Sequence, residues 1–407
     1  MAELPPREVA LVRELARQVA DHAHSAEMEA ARQRWRRVNA LQRPDRAPVW
    51  CRPVGAWAEL LPDAVLECEE PWLRSLERRF RQALIKRDIG DDEPLDPWLP
   101  VGAVWDCEPP NRWGVEIARH HSGAQGGAWA YDPPLKTESH FARLASPRFS
   151  LHRQRTDDAL DRAHHLLGHV LPPRLVCSPP LGAILCTDAA ALRGLTQLML
   201  DMATAPHLVH RLMAHLRDAA LAGIDAAEST GLLTPNHTGP MTCSEPLGTP
   251  DARGRHTAAN CWLMLNSQEF DPVSPAMWEE FLLDYQRPIM ARYGLVGYGC
   301  CEGLTQKIDG VLSISNLRIF VASAWTDLDA VVDRCGSDYV IMWRQKATDV
   351  VFAQDTAALR RDLEEGLRRL EGCHVQIVLR ELQTLAGHPR RLHEWTRHAK
   401  DAAAKFA

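Results

Sequence analysis

The chain has 407 residues, 45% of them hydrophobic and 25% charged; these are ordinary globular values with ample chain for a large core, and they exclude disorder, collagen and coiled coil. Forty-seven Lys and Arg stand against 53 Asp and Glu, a formal net charge of −6. With no long basic stripe, neither nucleic acid nor an anionic membrane is an expected partner.

At about 150 residues per domain the length suits two or three domains, but α/β barrels run past about 250 residues as one unit. The expectation is a helical extension over 1–45 followed by one large domain over 46–407. No apolar stretch approaches the roughly 20 residues of a spanning helix. Met1-Ala2-Glu3-Leu4-Pro5-Pro6 also lacks a signal design, so a cytoplasmic protein is expected. The eleven cysteines are odd in number and scattered, which reads as mostly buried thiols.

From Arg7 to about Asn39, Val9, Val12, Leu15, Ala16 and Val19 recur at helical spacing between charges. Ala47 to Cys51 is a short β-type run, and Trp72 to Lys86 a charged helix. Asp88 to Pro180 is rich in Pro, Gly and Trp, with Gly123-Ala124-Gln125-Gly126-Gly127 inside it, and reads as loops and short strands covering something. Ala189 to Met202 and Pro206 to about Thr230 are expected helices, Pro206 sitting in a first turn. Leu232-Leu233-Thr234 and Trp262 to Leu265 look like strands. Ser274 and Pro275 open a helix that runs to Tyr293 with an expected kink at Pro288. Leu295 to Gly299, Leu317 to Ala322, Tyr339 to Trp343 and Val375 to Leu379 are short continuous apolar or β-branched runs. Between them Thr326 to Asp329 fits a capping box, and Leu359, Leu363, Leu367 and Leu370 mark one helix face. Continuous apolar strands alternating with helices mean a parallel sheet buried on both faces. A (β/α)8 TIM-like barrel is the favoured architecture, with a doubly wound sheet second.

In such barrels the site lies where strands end. Gly297-Tyr298-Gly299-Cys300-Cys301-Glu302-Gly303 follows Leu295-Val296 directly and offers two thiols and a carboxylate between glycines, suited to a metal or a reactive sulfur. Adjacent residues of an extended chain point to opposite sides, so both sulfurs can share one ion only at a turn. Two buried small hydrophobes are the bland alternative. Arg380-Glu381 follows the last run: Glu381 is a carboxylate ligand, an acid/base group, or half of a salt bridge with a neighbouring arginine. Asn266 and Gln268 follow Leu265 and are candidates for holding substrate, as is Tyr298. His120 and His121, in the Gly-rich region, are candidate lid residues. His165 and His169 share a helix face but lack the HExxH glutamate, and neither a GxSxG elbow nor a GxGxxG fingerprint is present.

Three segments carry a resemblance: Trp35 to Leu41 with Pro44 to Val49, then Val273 to Phe281, then Tyr293 to Glu302. Together with Asn316-Leu317-Arg318, Val321 to Asp327 and Arg391 to Trp395, they make the chain resemble the uroporphyrinogen decarboxylase superfamily, and its YGCCE-type branch in particular. The resemblance covers most of residues 30 to 400 and implies the β/α barrel. It does not fix a reaction, because the superfamily holds a cofactor-free decarboxylase as well as zinc- and corrinoid-dependent methyltransferases. The decarboxylase's MRQAGRY segment would fall on Cys51 to Trp57, where only Arg52 and Gly55 keep their types.

The methyltransferases' His-x-Cys pair and last-strand Cys would fall on Gly299 and Cys301, and near Arg380-Glu381. The resemblance thus implies zinc on Cys300, Cys301 and Glu381, with Glu302 holding a ligand or serving as base and Arg52 receiving an anionic group. It further implies methyl transfer between a small molecule and a corrinoid held by a partner protein, since no DxHxxG corrinoid signal occurs here. Two alternatives are a metal-free decarboxylase or lyase at the same mouth and a non-catalytic thiol or metal sensor.

Overall fold

The structure, a computed structural model, describes residues 4–121, 123, 129–353 and 355–406; Ala124 to Gly127 of the Gly-rich loop lie outside them. In chain order the strands are β1 (Val49–Pro53), β2 (Leu99–Gly102), β3 (Trp105–Glu108), β4 (Ala118–His121), β5 (Trp129–Asp132) and β6 (Arg148–Leu151). They continue with β7 (Pro173–Val176), β8 (Trp262–Leu265), β9 (Leu295–Tyr298), β10 (Leu317–Ala322), β11 (Val340–Arg344) and β12 (His374–Leu382). The apolar runs read at Trp262 to Leu265, Leu295 to Gly299, Leu317 to Ala322, Tyr339 to Trp343 and Val375 to Leu379 all contain strands.

Six strands form one parallel sheet in the order β1-β12-β11-β10-β9-β8. The order follows the chain and then returns to β1, which is a barrel succession and not the reversal of a doubly wound sheet. Alternation along the strands separates two faces. Trp50, Trp262, Ile319, Val321, Val340, Met342 and Val378 meet in one cluster on the concave side. Val49, Cys51, Phe320, Ile341, Ile377 and Leu379 face the helix layer.

Among the described residues the six strands curl into a half-barrel, consistent with the expected TIM-like fold, and do not close into a full barrel. Among the described residues β2 and β7 form a separate parallel pair, and Leu232-Leu233-Thr234, expected as a strand, contributes one bridge between Cys177 and Leu233. The open edges are satisfied by side chains. Val49 N–H and Cys51 N–H donate to the carboxylates of Asp92 and Asp91, each at 2.8 Å, and Asp92 N–H donates to Val49 O at 2.7 Å. Lys86 Nζ donates to Cys51 O and to Asp91. At the other edge the Asn236 amide bonds both Trp262 N–H, at 2.7 Å, and Trp262 O, at 2.9 Å. Carboxylates and an amide meet the backbone groups that neighbouring strands would otherwise pair.

The N-terminal run is two helices, Pro6–Ala23 and Ala26–Asn39, because Ser25 leaves helical geometry and caps Met28 N–H. The second sends Trp35 and Val38 into the concave cluster. Its end is tied under the sheet by Asn39 Nδ2 to Met241 O and Cys243 O, and by Gln376 Nε2 to Asn39 Oδ1. Gln376 lies near the start of β12, so this helix covers the N-terminal ends of the strands.

Three helix boundaries also differ from expectation. Ala189 to Met202 is broken at Gly194, φ +84°, into Cys186–Arg193 and Leu195–Thr204. In the Ser274-capped helix the irregularity is a π turn at Glu279–Leu283, ahead of Pro288, which lies inside Asp284–Met290; proline supplies no N–H to the preceding turn, and the wider turn accommodates this. Ahead of Val331 the cap is Asp327 alone, accepting from Asp329 and Ala330 N–H, and not a box with Thr326.

Candidate active site

The C-terminal ends of β9, β11 and β12 meet at the uncovered end of the sheet. After Tyr298 the chain must turn at once, and Gly299 does this at φ +115°. A Cβ there would lie 2.9 Å from both Leu304 Cδ1 and Val321 Cβ, so only glycine fits. The turn brings the Cys300 and Cys301 sulfurs to 3.5 Å. This is the condition that the sequence imposed on a shared ligand.

Glu302 is 2% exposed. Its Oε1 accepts from Ser267 N–H at 2.7 Å and Ser267 Oγ at 3.1 Å, and its Oε2 from Cys300 N–H at 2.9 Å. Its oxygens are committed to fastening the thiol turn to the end of β8, an arrangement that suits holding the Cys300 turn and not the work of a base.

A bulge delivers the remaining carboxylate. Cys51 pairs with Leu379 and Pro53 with Leu382, so Arg52 faces both Arg380 and Glu381, and Glu381 takes φ +61°. Its Oε1 lies 3.3 Å from Cys301 Sγ. Arg344, at the end of β11 and 2% exposed, donates from Nη1 to Cys300 O at 2.6 Å, to Cys300 Sγ at 3.4 Å and to Glu381 Oε1 at 3.3 Å. Cys300, Cys301, Glu381 and Arg344 thus form a ring of four close contacts.

The electrostatics separate the two thiols. Cys300 is lowered to about 6, first by the hydrogen bond from Cys301 and then, against burial, by the Arg344 charge and hydrogen bond. Cys301 is pushed strongly upward by the Cys300 thiolate it bonds, by burial and by Glu381. The pair therefore holds one negative charge beside a guanidinium at neutral pH. Burial lowers the Arg380 guanidinium, with Arg344 and Arg52 adding repulsion.

A zinc ion with Zn–S bonds of about 2.3 Å holds neighbouring ligand atoms about 3.5–3.8 Å apart. The 3.5 Å and 3.3 Å spacings around Cys301 approach this, and two thiols with a carboxylate are zinc-type donors. The third edge is open: Arg344 Nη1 stands between Cys300 Sγ and Glu381 Oε1. Among the described residues no group of three or more His, Cys, Asp or Glu side chains closes into a metal cage. Loading would require Glu381 to exchange Arg344 for the ion.

The other expected residues divide. Asn266 stands beside the site, its Oδ1 capping Gln268 N–H at 3.3 Å; Gln268 itself is exposed. Arg52, two residues beyond inward-facing Trp50, is exposed. Tyr298 is corrected: it is fully buried in the helix-facing layer, where its hydroxyl donates to Gln286 at 2.9 Å and accepts from Trp278 at 3.3 Å. His120 and His121 lie on the exposed β4–β5 hairpin, and no contact joins them to the thiol pair. Sequence reading missed Arg344, placed Ser267 at the strand end without a role of its own, and left Arg380 without a role. The strand-end rule would have selected Arg344, which directly follows Tyr339 to Trp343.

No family model matches the chain, and no curated protein matches it. Among solved structures it is similar to a methyltransferase from Methanosarcina mazei, with TM-score 0.51 over 91% of this chain and 98% of that one, at 10% identity. The likeness is one of fold.

Proposed function

We propose that this chain is a methyl-transfer enzyme of the uroporphyrinogen decarboxylase superfamily, working at the Cys300–Cys301 pair. The observation that carries the reading is the pair itself: two sulfurs at 3.5 Å, on a glycine turn at a strand end. The shared fold with a protein named as a methyltransferase supports it. Cys300, Cys301 and Glu381 would hold a zinc ion, which supplies a Lewis acid for a substrate sulfur or oxygen. Glu302 fixes the turn that aims both sulfurs. Arg344 balances the charge of the thiolate and carboxylate, and Arg52 and Arg380 offer positive charge to an acidic substrate group. The methyl carrier is a corrinoid on a partner protein.

The test uses methylcobalamin with an organic thiol as acceptor. The methyl group leaves cobalt as a cation equivalent, the thiolate sulfur donates the electron pair of the new bond, and cob(I)alamin departs with the electrons of the broken one. The wild-type protein accelerates the loss of methylcobalamin, and C300S/C301S does not. A wild-type rate no faster than that of the double variant overturns the proposal.

Arg344 favours a second reading. A guanidinium that already neutralises the Cys300 thiolate lets the mouth act without metal, as in a decarboxylase or lyase on a small carboxylated substrate. In that case activity survives chelation but not R344M.

A further inference from the structure

The seam between β1 and β2 opens into a cavity of about 610 Å³ that reaches from Trp50 and Arg52, on the concave side, out to Val19 and Phe80 in the helix layer. Trp57 and Trp98 stand in its walls. The cavity exists because β1 spends its outer edge on Asp91, Asp92 and Lys86 and not on β2.

Its charges are unequally engaged. Asp91 is bonded by Lys86 and by Cys51 N–H. Glu93 lies 3.2 Å from Lys86 Nζ and accepts from Trp50 Nε1 at 3.1 Å. Asp96 accepts from Thr238 at 2.7 Å. Arg52 and Arg79 also line the cavity, and among the described residues neither makes a hydrogen bond or an ion pair. Burial is the one influence on the Arg79 guanidinium, with no carboxylate in reach. Each of the three acids already accepts a hydrogen bond or an ion pair while two guanidiniums have no partner, so the unengaged charged donors facing the cavity are Arg52 and Arg79, over aromatic and aliphatic walls.

We infer that this cavity is a binding site for an organic anion with a flat apolar body, its acid group taken by Arg52 and Arg79 and its ring by Trp57, Trp98 and Phe80. The inference stands on the cavity and its unpaired cations, and it holds whether or not the thiol pair transfers methyl groups.

The probe is anilinonaphthalene sulfonate, followed by fluorescence, with the uncharged N-phenylnaphthylamine as its partner. The sulfonate binds the wild-type protein saturably. R52Q and R79Q each weaken it by roughly tenfold, the loss of a charge-assisted hydrogen bond, and leave the uncharged probe unchanged. Equal losses for both probes, or none, overturn the inference. In the wild-type protein, which needs no variant to fold, naphthoate displaces the sulfonate while naphthyl methanol does not. Equal displacement by the two overturns it as well.

Discussion

Replacing Glu302 by Gln separates a positioning residue from a base. The carboxylate accepts three hydrogen bonds, two of them from backbone N–H groups at 2.7 and 2.9 Å, while 2% exposed. A glutamine oxygen can replace only one of the two carboxylate oxygens; its amide N–H2 then faces either Ser267 N–H or Cys300 N–H, donor against donor. One charge-assisted bond is lost, about 1.5–3 kcal/mol, and one buried donor is left unsatisfied, about 1–3 kcal/mol. Relief of the buried charge offsets part of this, leaving a net destabilisation of about 2–4 kcal/mol. Urea unfolding monitored by circular dichroism measures it, and alkylation of Cys300 reports the loosened turn at the same time. A variant within about 0.5 kcal/mol of wild type would show that the carboxylate is not held as described and would restore Glu302 as a candidate base.

Three further outcomes follow from the same geometry. In chelator-treated protein the pH profile of Cys300 alkylation by iodoacetamide has its midpoint at about 6, and R344M moves it up by about 1–2 pH units, the value of one lost charge-assisted contact. Because the folded pKa is depressed, that contact's contribution to stability is complete above the ordinary thiol range and is lost as pH falls through about 6. G299A forces a Cβ to 2.9 Å from Leu304 and Val321 at φ +115°, which destabilises by roughly 2 kcal/mol or more in thermal unfolding; no loss of stability would contradict the turn. K86M removes the cation from a buried contact with Asp91 and Cys51 O and costs about 3–5 kcal/mol, read from urea midpoints; a change below about 1 kcal/mol would mean that the β1 edge is held in another way.

Strand positions were legible because each parallel strand is buried on both faces and leaves a continuous apolar run, as in Leu317 to Ala322. Barrel closure was not. The seams depend on Asp91, Asp92 and Asn236, whose side chains substitute for strand pairing in segments that read as loops. The thiol pair was legible through the strand-end rule and the glycines around it. The role of Glu302 was not, since a carboxylate beside two cysteines reads as chemistry and its burial against Ser267 N–H is a tertiary fact. Tyr298 was misplaced by one step of alternation: in a continuous apolar run nothing marks which face looks inward, and the concave cluster settles it. Glu381 would point away from the mouth on a regular strand, and only the bulge opposite Arg52 turns it to Cys301.

The central claim, that Cys300 and Cys301 are a metal-holding pair used for group transfer, is tested most directly by elemental analysis of protein prepared without chelators and with reduced thiols, beside C300S/C301S of unchanged circular dichroism. The account predicts close to one zinc per wild-type chain and none in the variant. A wild-type chain free of metal, or a variant that keeps its zinc, would contradict it and leave the Arg344-balanced thiolate as the working centre.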